Sequence, residues 1–395
     1  MKKLFLARLA AACLALHASL APATPYLPAR GEQVIEVLPR RTDPLQQQLQ
    51  RLRAELAARP QDLALATGLA QRYIGLARSE TDPRYLGYAQ AALAPWWRLA
   101  APPAAVRLLR ATLLQSTHQF AAALADLDAV LKTDPGNAQA WLTRATVLTV
   151  QGEYAQATAS CARLSTLATE LVAITCISSV AGVTGRAGQG EHLLDLTLQR
   201  SAGADAELQV WALTLLAEMA ARRGDAASAE QRFRRALALA PGDSYLRAAY
   251  ADFLLDQRRA AEVVKLLRDQ SRIDALLLRH ALALQQMAGE QGALAAADAE
   301  LRARFNAAMQ RGDSVHQREQ ARYELQLHRD AKTALVLAQK NWAVQKEPAD
   351  LRIYLEAALM AHDRAAAAPA LDWIKRHAVQ DVAALKLARQ LTGGA

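Results

Sequence analysis

The chain reads as an all-α protein, an α-solenoid of antiparallel helix pairs, and three observations predict it. Val210–Asp243 fits two amphipathic helical stretches, a Gly-Asp turn and a Pro-Gly-Asp stop into 34 residues. The same layout recurs along the chain at the same spacing, and a helical hairpin of that size must stack on copies of itself to bury its apolar side. No stretch shows sustained period-two alternation, Ala and Leu dominate, and aromatic residues are only 5% of the 395. A globular chain of this length would divide into two or three domains. A solenoid need not, because each unit touches its neighbours and the core extends lengthwise.

Residues 1–23 read as a signal peptide. Lys2, Lys3 and Arg8 supply charge, Leu4–Leu20 is mostly apolar, and Ala21-Pro22-Ala23 places small residues for cleavage after Ala23. Arg8, His17 and Ser19 interrupt the run, which is too short for a membrane span. A lipoprotein reading would use Cys13, but the apolar stretch before it is unusually short. The expected location is the bacterial periplasm, with no transmembrane segment in the mature chain. Cleavage takes the formal charge from +9 to +6. That surplus fits Arg-rich helices solubilising an Ala/Leu-rich array, and export argues against nucleic acid as a partner.

Residues 24–44 read as an extended arm, in which QVIEVL has the composition to pair as a strand or to lie across the first helices. Helices follow from Leu45, with an array over 45–309, a junction near Met309–Asp313 and degenerate hairpins over 310–395. Leu63–Tyr73 and Tyr85–Leu93 form the first pair, separated by the longer turn ARSETDPR. Trp96-Trp97 ends an apolar helix before a Pro-Pro loop; one ring serves as an exposed anchor or both pack under the loop. Further loops are expected at Asp134-Pro135-Gly136, Gly182–Gly190, Ser201–Asp205, Pro241-Gly242-Asp243, Gly289–Gly292 and Glu347-Pro348. Towards the C-terminus, Gln320–Leu327 leads through His328-Arg329-Asp330 into Ala331–Trp342, and Leu351–Met360 through His362-Asp363 into Ala366–His377.

In Val210–Asp243, Leu216, Ala217 and Ala220 share one side of the first helix, and Ala229, Phe233 and Ala236 one side of the second. Small residues let the backbones approach, Gly224 ends the first helix, Asp225 caps the second, and Pro241 stops it. Ala104–Asn137 repeats the pattern with Phe120, Ala123, Leu127, Pro135 and Asn137, although Arg110 stands where an apolar residue is usual. The unit 138–171 offers Trp141, Gly152, Tyr154 and Ala157. The unit 244–270 offers Tyr250, Ala251 and Leu254 with a short second helix, and a degenerate unit lies near 172–205. On these residues the stretch 104–270 resembles the tetratricopeptide repeat (TPR) family. DPRYLGYAQAALAPWW is similar to exported bacterial TPR proteins of unassigned role and adds no chemistry.

The resemblance implies a right-handed superhelix whose first helices line a concave groove. Repeat phase then places Ala105, Leu108, Thr112 and Gln115 inward, followed by Gln139, Leu142, Thr146 and Thr149. Trp211, Thr214, Glu218 and Arg222 come next, then Tyr245, Ala248, Asp252 and Asp256. Aromatic rings among amides, hydroxyls and charges suit a peptide or partner helix; ordinary inter-repeat packing of Trp211 is the competing reading. TPR domains that grip chaperone C-termini use Lys, Asn and Arg at positions held here by Leu108, Thr112, Leu142 and Thr146, so that activity is not implied.

Without Cys13, Cys161 and Cys176 remain, an even number for an oxidising compartment. They fall almost equally far from the turn near Ala168, opposite each other on adjacent antiparallel helices, which suits a disulfide. Two small buried thiols is the alternative.

No motif carries catalysis. Gly185-Arg186-Ala187-Gly188-Gln189-Gly190 is followed by Glu191-His192 instead of Lys-Ser or Lys-Thr, so it reads as a flexible turn and not a phosphate loop. The eight histidines lack HExxH or zinc spacing, and His118, His328 and His362 fall at helix ends, where they complement the helix dipole. There is no G-x-S-x-G. No cofactor or metal is expected. The reading is a periplasmic scaffold that binds a protein or peptide in envelope assembly, secretion or metalloprotein maturation. A structural subunit of a larger envelope or polysaccharide-export complex is the alternative, and an enzyme the third.

Overall fold

The computed structural model describes residues 43–80, 82–312 and 317–393. The expected signal peptide, Cys13 and nearly all of the expected arm lie outside them. The chain forms two compact units, residues 1–51 and 52–395. Of the first, the described part is the start of helix α1 (Pro44–Ala58), where the Asp43 carboxylate accepts the Leu45 N–H at 2.9 Å.

The second unit is an α-solenoid, and the described residues contain no strand. After α1 come α2 (Leu63–Ser79), α3 (Arg84–Ala92), α4 (Ala94–Trp97), α5 (Ala104–Ser116), α6 (Phe120–Thr133), α7 (Ala138–Gln151) and α8 (Tyr154–Arg163). The middle holds α9 (Glu170–Ala181), α10 (Ala187–Arg200), α11 (Ala206–Arg223), α12 (Ala226–Leu239), α13 (Ser244–Asp256) and α14 (Ala260–Leu267). The last third holds α15 (Asp274–Gln285), α16 (Gln291–Gln310), α17 (Gln317–Tyr323), α18 (Ala331–Val344), α19 (Pro348–Met360), α20 (Ala368–His377) and α21 (Val382–Thr392).

Local chemistry sets these boundaries. The side chains of Asp62, Asn137, Asp205, Asp225, Asp243, Asp330 and Asp381 each accept a first-turn N–H of the following helix, a cap worth about 1 kcal/mol. Among the described residues seven hairpins turn through a left-handed residue. It is glycine at Gly152, Gly224 and Gly289, but His118, Arg258, Arg329 and His362 at the equivalent turns. His118 and His362 are thus the turn residues themselves, whereas His328 places Nε2 2.7 Å from Asp298 Oδ1.

Three expectations need correction. Ala77–Ser79 continue α2, so the first turn begins only at Glu80. Gly182–Gly190 is not a loop throughout, because α10 already starts at Ala187 and contains Gly188 and Gly190. These glycines permit contact: a Cβ on Gly190 would lie 2.7 Å from the Ala181 methyl, and Ser178 Oγ donates to the Gly190 carbonyl at 2.9 Å. The Gly-rich stretch is thus a close helix crossing. Arg110, the odd residue of its repeat, meets the buried Asp126 through two bonds of 2.6 and 2.7 Å and donates to the Trp97 carbonyl at 2.6 Å. Trp96 is buried and Trp97 half-buried.

Hairpins pair as α2/α3, α5/α6, α7/α8, α9/α10, α11/α12, α13/α14, α15/α16, α17/α18 and α19/α20. The first helices form a ladder from α2 through α5, α7, α9, α11, α13, α15, α17 and α19 to α21. That ladder does not stay open. Helix α21 returns to touch α11, so α11, α13, α15, α17, α19 and α21 close a ring.

Candidate functional site

Several contacts between distant repeats hold the ring shut. The Lys346 N–H donates to the Val150 carbonyl at 2.7 Å. The Trp373 ring packs edge-on to Tyr154 at 5.8 Å and to Trp342 at 5.4 Å, and tilts on His377 at 4.1 Å. It joins the core of α19–α21 to the core around Tyr154, Cys161 and Cys176. Gly152 makes room: a Cβ there would sit 2.2 Å from Trp373 Cη2. The Ala187 N–H donates to Gln380 Oε1 at 3.0 Å. Across the ring, Arg352 grips Asp256 at 2.6 and 2.8 Å.

The ring encloses a cavity of about 520 Å³, a size typical of ligand sites. Its walls come from Thr149 and Val150 at the end of α7, Ser179 on α9, inward positions of α11 and α13 and, opposite them, α15, α17 and α19. Tyr245 keeps 62% of its surface accessible, and its hydroxyl donates to Glu218 Oε1 at 2.9 Å. Burial pushes the Glu218 carboxyl up, only partly countered by Arg222. The Glu218 charge pushes the Tyr245 hydroxyl well up.

Most cavity charges are tied in pairs. Asp252 accepts from Arg279 at 2.7 Å and from Arg322 at 2.6 Å. Burial alone would raise its carboxyl, but these two guanidiniums hold it at about 2. Arg279 also reaches Glu319 at 3.1 Å. Arg318 pairs with Glu347, and burial raises the neighbouring Asp350 to about 6 against the Arg318 charge. Glu356 binds Arg352 at 2.8 Å. Lys346 gives its ammonium to the Trp342 carbonyl and covers that ring. Arg222 differs: among the described residues it forms no hydrogen bond or close ion pair, and its Nε is buried without a partner.

The expected groove residues therefore separate. Glu218, Arg222, Tyr245 and Asp252 come together, but around a cavity roofed by the chain's own last third instead of along an open groove. Gln139, Leu142, Thr146, Trp211 and Thr214 do not line it. Thr214 is buried and bonds back to the Val210 carbonyl at 2.7 Å, and Trp211 is half-buried. Gln139 and Thr146 are exposed on α7. Cys161 and Cys176 form a disulfide between α8 and α9 with Cα atoms 5.5 Å apart. Sequence reasoning missed Arg279, Arg318, Arg322 and Arg352, the basic wall; their inward phase on later first helices was the only signal. Among the described residues no group of three or more His, Cys, Asp or Glu could hold a metal ion, and no helix is long and apolar enough to cross a membrane.

Two tetratricopeptide repeat profiles match, over residues 185–308 and 114–169. No curated protein matches in sequence. Among solved structures, a tetratricopeptide repeat protein from Parabacteroides merdae is 13% identical, covering 73% of this chain and 98% of its own, with a TM-score of 0.37. A human IFIT1 dimer with m7Gppp-AAAA is 13% identical over 87% of each chain, with a TM-score of 0.40. The P58(IPK) TPR domain is 16% identical over 84% of this chain and 98% of its own, with a TM-score of 0.24.

Proposed function

Because this chain is a tetratricopeptide-repeat protein, a fold that marks protein–protein interaction scaffolds, we propose that it is an exported, non-catalytic scaffold whose partner protein docks on the first helices of its early repeats. The observation that carries this reading is the ring. The inward positions of α11 and α13, with Thr149 and Val150 at the end of α7 and Ser179 on α9, face the chain's own C-terminal helices. On α5 and α7, Ala105, Gln139 and Thr146 are exposed beside the half-buried Leu108 and Leu142. An apolar strip between amides and hydroxyls suits an amphipathic helix or an extended peptide. Export is supported by the N-terminal charge, apolar run and small residues of 1–23, and by the Cys161–Cys176 disulfide. A role in envelope assembly, secretion or maturation follows from that compartment.

The test is photocrosslinking in the periplasm from probes placed at Thr146 and, as a control, at Asp256 inside the ring. The proposal expects one discrete adduct from position 146, lost on Gln139→Arg with unchanged melting, and none from position 256. An adduct from 256 alone, or none from either, overturns it.

A further inference from the structure

The ring cavity also has the chemistry of a small-molecule site, independent of any partner on the early repeats. Its charges cancel in pairs almost everywhere. Asp252, Asp256, Glu319 and Glu347 each hold an arginine. Of the lining charges outside this pattern, Lys346 is held by the Trp342 carbonyl and Asp381 by the Ala384 N–H; the other two are neighbours, Glu218 and Arg222, one turn apart on α11 and both facing the cavity. Side chains four apart on a helix share a face with Cβ atoms about 6 Å apart, close enough for a salt bridge. Yet they do not close on each other. Among the described residues, Glu218 Oε1 takes the Tyr245 hydroxyl and the carboxylate has no basic partner within bonding distance. Arg222 has none either, and one Nη2 points past Gly182, where a Cβ would crowd it at 3.3 Å.

A buried guanidinium nitrogen left without a partner is costly, and so is a partly desolvated carboxylate held by a single hydroxyl. A lone anion would satisfy Arg222 but be repelled by Glu218, and a lone cation the reverse. A ligand that carries both charges on adjacent atoms satisfies both groups. We propose that the cavity binds a small zwitterion, a free α-amino acid or a dipeptide, with its carboxylate on the Arg222 fork and its ammonium on Glu218. The Arg222 guanidinium matches a carboxylate in bidentate geometry. The exposed face of Tyr245, already tethered to Glu218, lies where it can cover the ammonium. A cavity of about 520 Å³ accommodates such a molecule with its side chain.

The experiment adds each of the twenty free amino acids, and glycylglycine, to the purified full chain and reads melting temperature, followed by calorimetric titration of whichever compound raises it most. The N-acetyl and the amide forms of that compound are then titrated. The expected result is saturable one-to-one binding that either blocking group removes, and that Glu218→Gln and Arg222→Gln each weaken about tenfold or more, the loss of one charge-assisted contact. Circular dichroism melts of the two variants show whether they fold. If Arg222→Gln does not, Tyr245→Phe, which frees Glu218 from its hydroxyl and keeps the ring, replaces it and is expected to alter affinity. No saturable binding by any compound overturns the proposal. So does binding that survives both charge variants, and so does equal binding of the blocked forms. The photocrosslinking test of the protein partner is unaffected by any of these outcomes, so the two readings fail separately.

Discussion

Replacing Gly152 by Ala probes the closure of the ring through one atom. Gly152 sits at φ 83°, and Gly224, at the equivalent turn of a later repeat, at φ 87°. An alanine in this left-handed region costs about 1–2 kcal/mol, partly offset by about 0.4–1 kcal/mol from a stiffer unfolded chain. At Gly224 nothing is added, because the nearest atom to the new Cβ is Val382 Cγ2 at 3.7 Å, an ordinary contact. Gly224→Ala is therefore expected to cost about 1 kcal/mol. At Gly152 the new Cβ would lie 2.2 and 2.7 Å from two atoms of the Trp373 ring, which must leave. Leaving breaks its contacts with Tyr154, Trp342 and His377. At about 0.5–1.5 kcal/mol for each aromatic pair, that adds about 2 kcal/mol, so Gly152→Ala is expected to cost about 3. In a Trp373→Ala background the extra cost disappears and Gly152→Ala again costs about 1 kcal/mol, a coupling of about 2 between residues far apart in sequence. Urea melts followed by circular dichroism on the four members of the cycle measure it. Equal costs at Gly152 and Gly224, or additivity with Trp373→Ala, would refute the packing of the last third against α7 and α8.

Reducing the Cys161–Cys176 bond, which closes a separation of 15 residues, is expected to lower stability by about 3 kcal/mol; identical melts with and without reductant would count against the bond. Arg110→Leu leaves the buried Asp126 with only Arg107, 3.9 Å away, and is expected to cost about 3 kcal/mol, while Arg110→Leu with Asp126→Leu recovers most of it; denaturation of both variants checks the recovery. Asp252 is held at about 2, below its unfolded value. Its contribution to stability is therefore present above pH ~4 and lost as pH falls towards about 2. The stability gap between the native chain and Asp252→Asn should shrink across that window, and a gap independent of pH contradicts the Arg279–Asp252–Arg322 cluster.

The repeats were legible because each is punctuated locally. Asn137, Asp225 and Asp243 cap helices, and Gly152 and Gly224 turn them, in the order the sequence shows. Where glycine serves packing instead of turning, the same reasoning misled, as at Gly188 and Gly190, since a close helix crossing and a loop have the same composition. Inward phase brought Glu218, Arg222, Tyr245 and Asp252 to one face. Phase cannot say what that face meets. The ring depends on Lys346 reaching Val150, Gln380 reaching Ala187 and Trp373 reaching Gly152. None of these pairs shares a repeat, and none carries a local signal. Whether a curve of helix pairs stays open depends on small rotations summed over many units, and no single residue encodes that sum.

The ladder of first helices returns on itself, and Gly185, between α9 and α10, meets Ala378, after α20, at the closure: a Cβ on Gly185 would sit 2.9 Å from the Ala378 methyl. The pair Gly185→Cys and Ala378→Cys, combined with Cys161→Ser and Cys176→Ser, should form one intramolecular disulfide on mild oxidation as the two turns ease apart to the Cβ spacing of about 3.5–4.5 Å that the bond takes, read as a monomer of shifted mobility and confirmed by peptide mass mapping. Free thiols after oxidation, or bonds only between separate molecules, would mean that the array stays open and that the cavity described here does not exist.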